Sequence, residues 1–248
     1  MIPASDFKIF KQKPMVVATA YDYPFARILE EAGVDVILVG DSLANVVLGF
    51  SSTREVGMDV MSVFVAAAAR GAPHTHIVAD MPYGSDATPV VAVTNARRFL
   101  SLGAHSVKLE GAKMEAVAAL IAEGIPVVGH LGLLPQTAKS LRQVGHELSE
   151  RDDVLRSAEA LAKAGAAALV LEHMDFALAD EVTRRIPIPT IGIGAGAGVN
   201  GQVLVLHDIL GLNFRPLPPF AKAFASLRES ALQGMREYCE AVRSGSFP

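Results

Sequence analysis

The chain has 248 residues, 51% of them hydrophobic and 19% charged, with a formal net charge of −4. That length and apolar content suit one large core, and α/β barrels reach this size as single domains. The acidic balance, with no Lys/Arg block and no interleaved basic and aromatic residues, argues against a nucleic-acid partner.

The first residues, "MIPASDFKIFKQKP", contain no apolar segment of the secretory kind. The single cysteine, Cys239, excludes a disulfide framework within the chain and fits a reducing compartment. Residues 186–206 are uncharged, but two prolines, five glycines, Asn200 and Gln202 make them strand, loop and strand rather than a membrane span. No membrane partner is expected, and the expected setting is the cytoplasm.

In chain order, "PMVVATAYD" reads as a first strand. A repeating unit then sets in, an amphipathic stretch ending in glycine and followed at once by a β-branched run. The glycines are Gly33, Gly71, Gly103, Gly124 and Gly165, each where a helix C-terminus needs a left-handed residue. The runs that follow are "VDVILVGDS", "HIVADMP", "HSVKLEG", "IPVVGHLG" and "AALVLEHM". With "IPTIGIGAG" and "QVLVLHD" the total is eight candidate strands, most with the continuous apolar cores of strands covered on both faces. Alternating β and α elements at this length predict a single (β/α)8 barrel domain, residues 1–248, over an open sheet. Residues 133–153 are the nearest thing to a loop insertion. From about residue 219 a C-terminal helical extension is predicted, with Phe220, Phe224, Leu227, Ala231, Met235, Tyr238 and Val242 in one stripe. The stripe either packs on its own barrel or makes a subunit contact. "GIGAGAG", residues 192–198, fits a dinucleotide fingerprint only loosely and lacks the following acidic residue, so a tight loop is the better reading.

The strand ends carry the chemistry. Strand two ends in Asp41 and Ser42, strand three in Asp80, strand four in Lys108 and Glu110, strand five in His130 and strand six in Glu172. Singly, each has a structural explanation: Asp41 and Asp80 as caps, Lys108 paired with Glu110, His130 a core histidine, Glu172 solvated. Five successive strands doing so together, at the mouth where barrel active sites lie, points to function. Asp41, Asp80 and Glu110 are hard oxygen donors suited to Mg2+, and no HExxH motif argues for zinc. A chelating anion that also meets Lys108 is naturally a 2-oxo acid, and Glu172 is left as the base.

The blocks "TAYDYPFA", "VGDSL", "GAPHTHIVADMPY", "VKLEG", "VVGHLGLLPQ", "LVLEH", "IGIGAG", "GQVLVLHDILG" and "PPFAKAF" resemble the ketopantoate hydroxymethyltransferase family, in order from about residue 18 to 224. The resemblance implies a (β/α)8 barrel of the phosphoenolpyruvate mutase/isocitrate lyase superfamily and a homo-oligomer, usually a decamer. It also implies hydroxymethyl transfer from 5,10-methylenetetrahydrofolate to 3-methyl-2-oxobutanoate, giving 2-dehydropantoate in pantothenate biosynthesis. By the same resemblance one Mg2+ per subunit falls to Asp41, Asp80 and Glu110. Ketoacid contacts fall to Asp41, Ser42, Asp80 and Lys108, proton acceptance to Glu172, and His130 matches a histidine of the site. The chain departs from the family pattern after "GLLPQ", at "GFSST" and at Asn200, where Asp is common. Competing readings are a lyase or mutase of the same superfamily, whose Lys-Arg or Cys lid motifs are not evident, and a non-catalytic metabolite-binding barrel.

Overall fold

The computed structural model describes residues 1–138, 140 and 142–247. The chain divides into two compact units, residues 1–203 and 204–248. Eight strands close a barrel: Met15–Thr19 (β1), Val36–Val39 (β2), His76–Asp80 (β3), Ser106–Glu110 (β4), Val127–Gly132 (β5), Ala168–Glu172 (β6), Thr190–Ile193 (β7) and Gly201–Leu204 (β8). Their order around the barrel is their order in the chain, and the pairs from β1·β2 to β7·β8 are parallel. The helices are Tyr23–Glu31 (α1), Leu43–Val46 (α2), Met58–Gly71 (α3), Pro89–Ser101 (α4), Met114–Ala122 (α5), Leu148–Ala164 (α6), Phe176–Arg185 (α7), Leu206–Ile209 (α8) and Leu227–Ser244 (α9). The (β/α)8 expectation is met.

Local chemistry explains the helix starts. Asp22 Oδ1 accepts from the Phe25 N–H at 2.8 Å with Pro24 in the first turn of α1. Thr88 and Asp175 do the same for α4 and α7, each accepting a backbone N–H three residues on. Of the five glycines read as left-handed caps, Gly33, Gly103, Gly124 and Gly165 have positive φ. Gly71 does not. It is the last residue of α3, and a Cβ there would lie 2.4 Å from the Tyr23 carbonyl oxygen, so the glycine serves close packing of α3 against α1.

Two further expectations change, and the tight-loop reading of "GIGAGAG" holds. The run "QVLVLHD" is strand only to Leu204, after which Ile209 N–H bonds Val205 O at 3.1 Å and the chain turns into α8. A short apolar run cannot separate the two states by pattern. The presumed loop 133–153 is helical from Leu148, while Lys139 and Leu141 within it lie outside the described residues. Between β7 and β8 the connection, residues 194–200, is the glycine-rich turn itself and carries no helix.

The barrel interior is graded. Phe7 and Phe10, from the 3-10 helix Ala4–Lys11, pack with Met15, Val17, Val36, Val78, Val128, Ala168, Val170, Ile191 and Val203 in one buried cluster. Because Met15 and Val36 begin their strands, this apolar plug fills the end opposite the mouth. Each large side chain buried there contributes roughly 1.5–3 kcal/mol of transfer free energy. Residues 204–248 form the second unit, in which Phe224 N–H bonds Ile209 O and Leu227 N–H bonds Leu210 O. No residue of α9 is buried in the single chain, and Met235, Tyr238 and Val242 of the predicted stripe are each about half exposed.

His76, at the start of β3, is the polar member of the plugged end. Its Nδ1 lies 3.0 Å from Ile2 O and its Nε2 2.9 Å from Ser106 Oγ, between the rings of Phe7 and His105. Burial first, then the neighbouring His105, pushes its pKa down from 6.5 to about 4. The neutral form therefore favours the fold. That contribution is complete above pH 6.5 and is lost as pH falls toward 4, a swing of about 3 kcal/mol. We expect the urea midpoint of the wild type to fall more than that of His76→Gln between pH 6.5 and 4. Parallel pH dependence in the two proteins would refute this assignment.

Candidate active site

The parallel register brings the strand-end residues together. Asp80 stands opposite Lys108, Glu110 opposite His130, and Gly132 opposite Glu172. On β4, Ser106, Lys108 and Glu110 share one face while Val107 and Leu109 take the other, as strand alternation requires. Asp41, Asp80, Lys108, Glu110 and His130 are between 1% and 5% exposed.

A chain of contacts crosses the mouth. Lys108 Nζ lies 2.9 Å from Asp80 Oδ1 and 3.2 Å from His130 Nδ1. Lys108 thus pairs across strands with Asp80 and not, as a purely structural reading would have it, with Glu110. His130 Nδ1 is 3.7 Å from Glu110 Oε1, and Nε2 is 3.2 Å from Glu172 Oε2, outside hydrogen-bond geometry. Lysine has donors only, so Nδ1 is the accepting nitrogen of a neutral His130 and Nε2 carries the proton that faces Glu172. The Asp41 N–H bonds Asp80 Oδ2 at 3.3 Å. Ser42, next to it, meets the Tyr21 hydroxyl at 2.8 Å. All seven predicted site residues therefore belong to one region.

Two local devices aim Glu172. His173, immediately after it, has φ 43°, an αL conformation that a non-glycine residue adopts at some cost. Its N–H bonds Ile193 O at 2.8 Å. Gly132, at φ 98°, has its Cβ position only 2.2 Å from the Glu172 carbonyl oxygen, so no side chain fits between β5 and β6 there. Neither feature was legible as functional in the sequence.

Sequence reasoning also gave no role to Gln136, which is buried among the carboxylates. Its amide donates to Asp41 Oδ2 at 2.9 Å, and its backbone N–H donates to Glu110 Oε2 at 3.0 Å. The signal available was its place in "GLLPQ", where Thr137 N–H and Ala138 N–H both turn back to Leu134 O.

Burial dominates the electrostatics. It raises the pKa of Asp41, against Lys108 and Gln136, and raises that of Asp80 well above the usual carboxylate range. Glu110 and Glu172 are each pushed up to about 7, again by burial first, with Lys108 opposing. The Glu172 side chain keeps 20% of its surface open toward the mouth, although its carboxylate is packed round by protein. Burial works against the Lys108 ammonium, but Asp80, Glu110 and Asp41 outweigh it and hold its pKa above the ordinary value. His130 is driven well below its ordinary value by burial and then by Lys108.

The donor set fits a hard divalent cation. Three buried carboxylates around one ammonium carry an excess of negative charge, and Asp80 Oδ1 has the Lys108 ion pair but no well-directed hydrogen bond. Among the described residues no three His, Cys, Asp or Glu side chains converge as a ready coordination set. Instead, the Gln136 amide stands against Asp41 and the Lys108 ammonium against Asp80.

Known proteins place the chain. Solved structures with the same fold include a phosphonopyruvate hydrolase, with TM-score 0.66 at 14% identity over 99% of this chain and 88% of that one. Another is 2,3-dimethylmalate lyase of the phosphoenolpyruvate mutase/isocitrate lyase superfamily, with TM-score 0.62 at 18% identity over 100% and 90%. At such identity they establish the fold alone. Curated relatives are much nearer. The 3-methyl-2-oxobutanoate hydroxymethyltransferase of Thermotoga maritima is 48% identical over 97% of this chain and 92% of its own length. That of Aeropyrum pernix is 47% identical over 97% and 90%. The family model for ketopantoate hydroxymethyltransferase matches residues 3–248, and the chain, an enzyme of the transferase class, belongs to that family.

Proposed function

We propose that this chain transfers a hydroxymethyl group from 5,10-methylenetetrahydrofolate to 3-methyl-2-oxobutanoate, giving 2-dehydropantoate for pantothenate biosynthesis in the cytoplasm. The observation that carries the reading is the placement of Glu172 beside His130, at the rim of a buried layer of three carboxylates and a lysine.

In this reading Asp41, Asp80 and Glu110 hold one Mg2+ per subunit. The cation supplies polarisation of the keto group, which acidifies the neighbouring C–H. Asp41, Ser42, Asp80 and Lys108 receive the ketoacid, with the Lys108 ammonium set to balance carboxylate or enolate charge in a site of low dielectric. Glu172 takes the C3 proton. A carboxylate with a pKa of about 7 is basic enough to do so while still ionised in part at neutral pH. Neutral His130 faces Glu172 with Nε2, 3.2 Å from Oε2. The C3 carbon then bonds to the one-carbon unit as both of that unit's C–N bonds to the folate break. Water provides the hydroxyl group, its other proton and the proton taken by Glu172 go to the two folate nitrogens, and tetrahydrofolate leaves. No helix among the described residues is long and apolar enough to cross a membrane.

Assembly as a homo-oligomer, a decamer by family resemblance, is part of the proposal. Its support is the open apolar stripe of α9.

Three outcomes follow. Exhaustive chelation should abolish turnover and added Mg2+ or Mn2+ restore it, whereas full activity after chelation would sink the cation assignment. In D2O with Mg2+ and 3-methyl-2-oxobutanoate but no folate, the enzyme should exchange the C3 proton. Glu172→Gln should lose roughly 10²–10⁴-fold of that exchange and His130→Asn less, the reverse order making His130 the base. Light scattering at micromolar concentration should give a mass several times 26.1 kDa, and a monomer would refute assembly.

A further inference from the structure

We propose that Gln136 is a positioning residue for the cation site, fixing Asp41 and Glu110 from the loop that follows β5. The inference rests on the assignment of those two carboxylates, with Asp80, to a divalent cation.

The geometry is specific. Gln136 is 1% exposed. Its Nε2 donates to Asp41 Oδ2 and to Met81 O, both at 2.9 Å, so both amide hydrogens are used. Because both partners are acceptors, the amide has one chemically sensible orientation, nitrogen toward Asp41. The same residue's backbone N–H reaches Glu110 Oε2 at 3.0 Å. One residue thus holds one oxygen each of carboxylates on separate segments, after β2 and at the end of β4, and leaves Asp41 Oδ1 and Glu110 Oε1 as the oxygens it does not bind. The link to Met81 adds the residue that follows Asp80, whose own N–H bonds Lys108 O at 2.9 Å.

The loop is itself anchored. Arg54 Nε donates to the Gln136 carbonyl, and the Arg54 guanidinium lies 5.0 Å over the Tyr83 ring. Arg54 is placed by a capping box in which Ser52 and Glu55 bond each other's backbone N–H. Burying an amide this deeply is unfavourable unless its hydrogen bonds are made. Here the amide bonds Asp41 and the Met81 carbonyl while the backbone N–H bonds Glu110, so the loop and both carboxylates are held together. Hydrogen bonds behind metal ligands of this kind govern affinity, typically by 10–100-fold.

The test is calorimetric titration of the substrate-free protein with Mg2+ and with Mn2+ alone, alongside thermal melts, for wild type, Gln136→Met and Arg54→Ala. Gln136→Met keeps volume and loses the donors to Asp41 and Met81, so its cation affinity should fall about 10–100-fold while the protein stays folded. Arg54→Ala, at an exposed residue outside the ligand set, should weaken affinity in the same direction by less. It decides the matter alone if Gln136→Met does not fold. Cation affinity within twofold of wild type in both variants, even with lowered melting temperature, would reduce Gln136 to a structural residue and overturn the proposal. Wild-type protein that binds neither cation would instead remove the cation assignment, and this inference with it.

Discussion

Everything at the mouth depends on keeping ionised groups inside a closed barrel. Asp41, Asp80, Lys108 and Glu110 are all almost fully buried, and taking an ion out of water costs several kcal/mol unless a partner compensates it. Strand register supplies part of the compensation, since Asp80 pairs with Lys108 across β3 and β4, while Glu110 accepts from the Gln136 backbone N–H. A one-residue slip of β4 would turn Lys108 and Glu110 onto the face held by Val107 and Leu109. Both of those are completely buried, so the slip would strand two charges in the apolar layer between barrel and helices. Register is therefore specified from both faces of the strand at once.

The same constraint sets the gradient along the barrel axis. Each of β3, β4 and β6 changes character from its start to its end: His76, Val78, Asp80; Ser106, Lys108, Glu110; Ala168, Val170, Glu172. The Phe7 and Phe10 plug seals the start of the strands, so the ionisable layer above rests on dry hydrocarbon. Low dielectric strengthens every interaction in that layer. It also explains why Glu110 and Glu172 are pushed up to about 7 although Lys108 is near, because burial outweighs the attraction. A carboxylate nearer the surface beside a cation shifts the other way, as the partly exposed Glu150 beside Arg142 does, at about 2.

Strands and their functional ends were legible because the physics that makes them is local to each run. A continuous apolar run with an acid at its end can be read from a dozen residues, and the Lys108–Glu110 alternation already announced a polar barrel face. Contacts that depend on another part of the chain were not legible. Gly71 looks like the other helix-ending glycines until Tyr23 O is placed beside it. The αL conformation of His173 depends on Ile193, twenty residues on, and the role of Gln136 depends on Asp41, ninety-five residues away. The helix Leu206–Ile209 was hidden because an alternating apolar run ends there without a glycine or proline to mark the change.

Two of the departures from the family pattern, Asn200 and "GFSST", can be traced to local contacts. Asn200 lies at the start of β8, the end opposite the mouth, where its Oδ1 accepts from Thr190 N–H at 3.1 Å and its carbonyl accepts from Met15 N–H at 2.9 Å. An aspartate would accept the same bond, so this difference concerns the seam that closes the barrel and leaves the chemistry alone. "GFSST" runs into the capping box, where the Glu55 carboxylate takes the N–H groups of Ser51 and Ser52 and thereby sets Arg54. From there Arg54 donates to the Gln136 carbonyl. Strand ends bear the charges, and Asp80 and Lys108 constrain each other across the register. The loop after β5 adds Gln136, hydrogen-bonded to both Asp41 and Glu110.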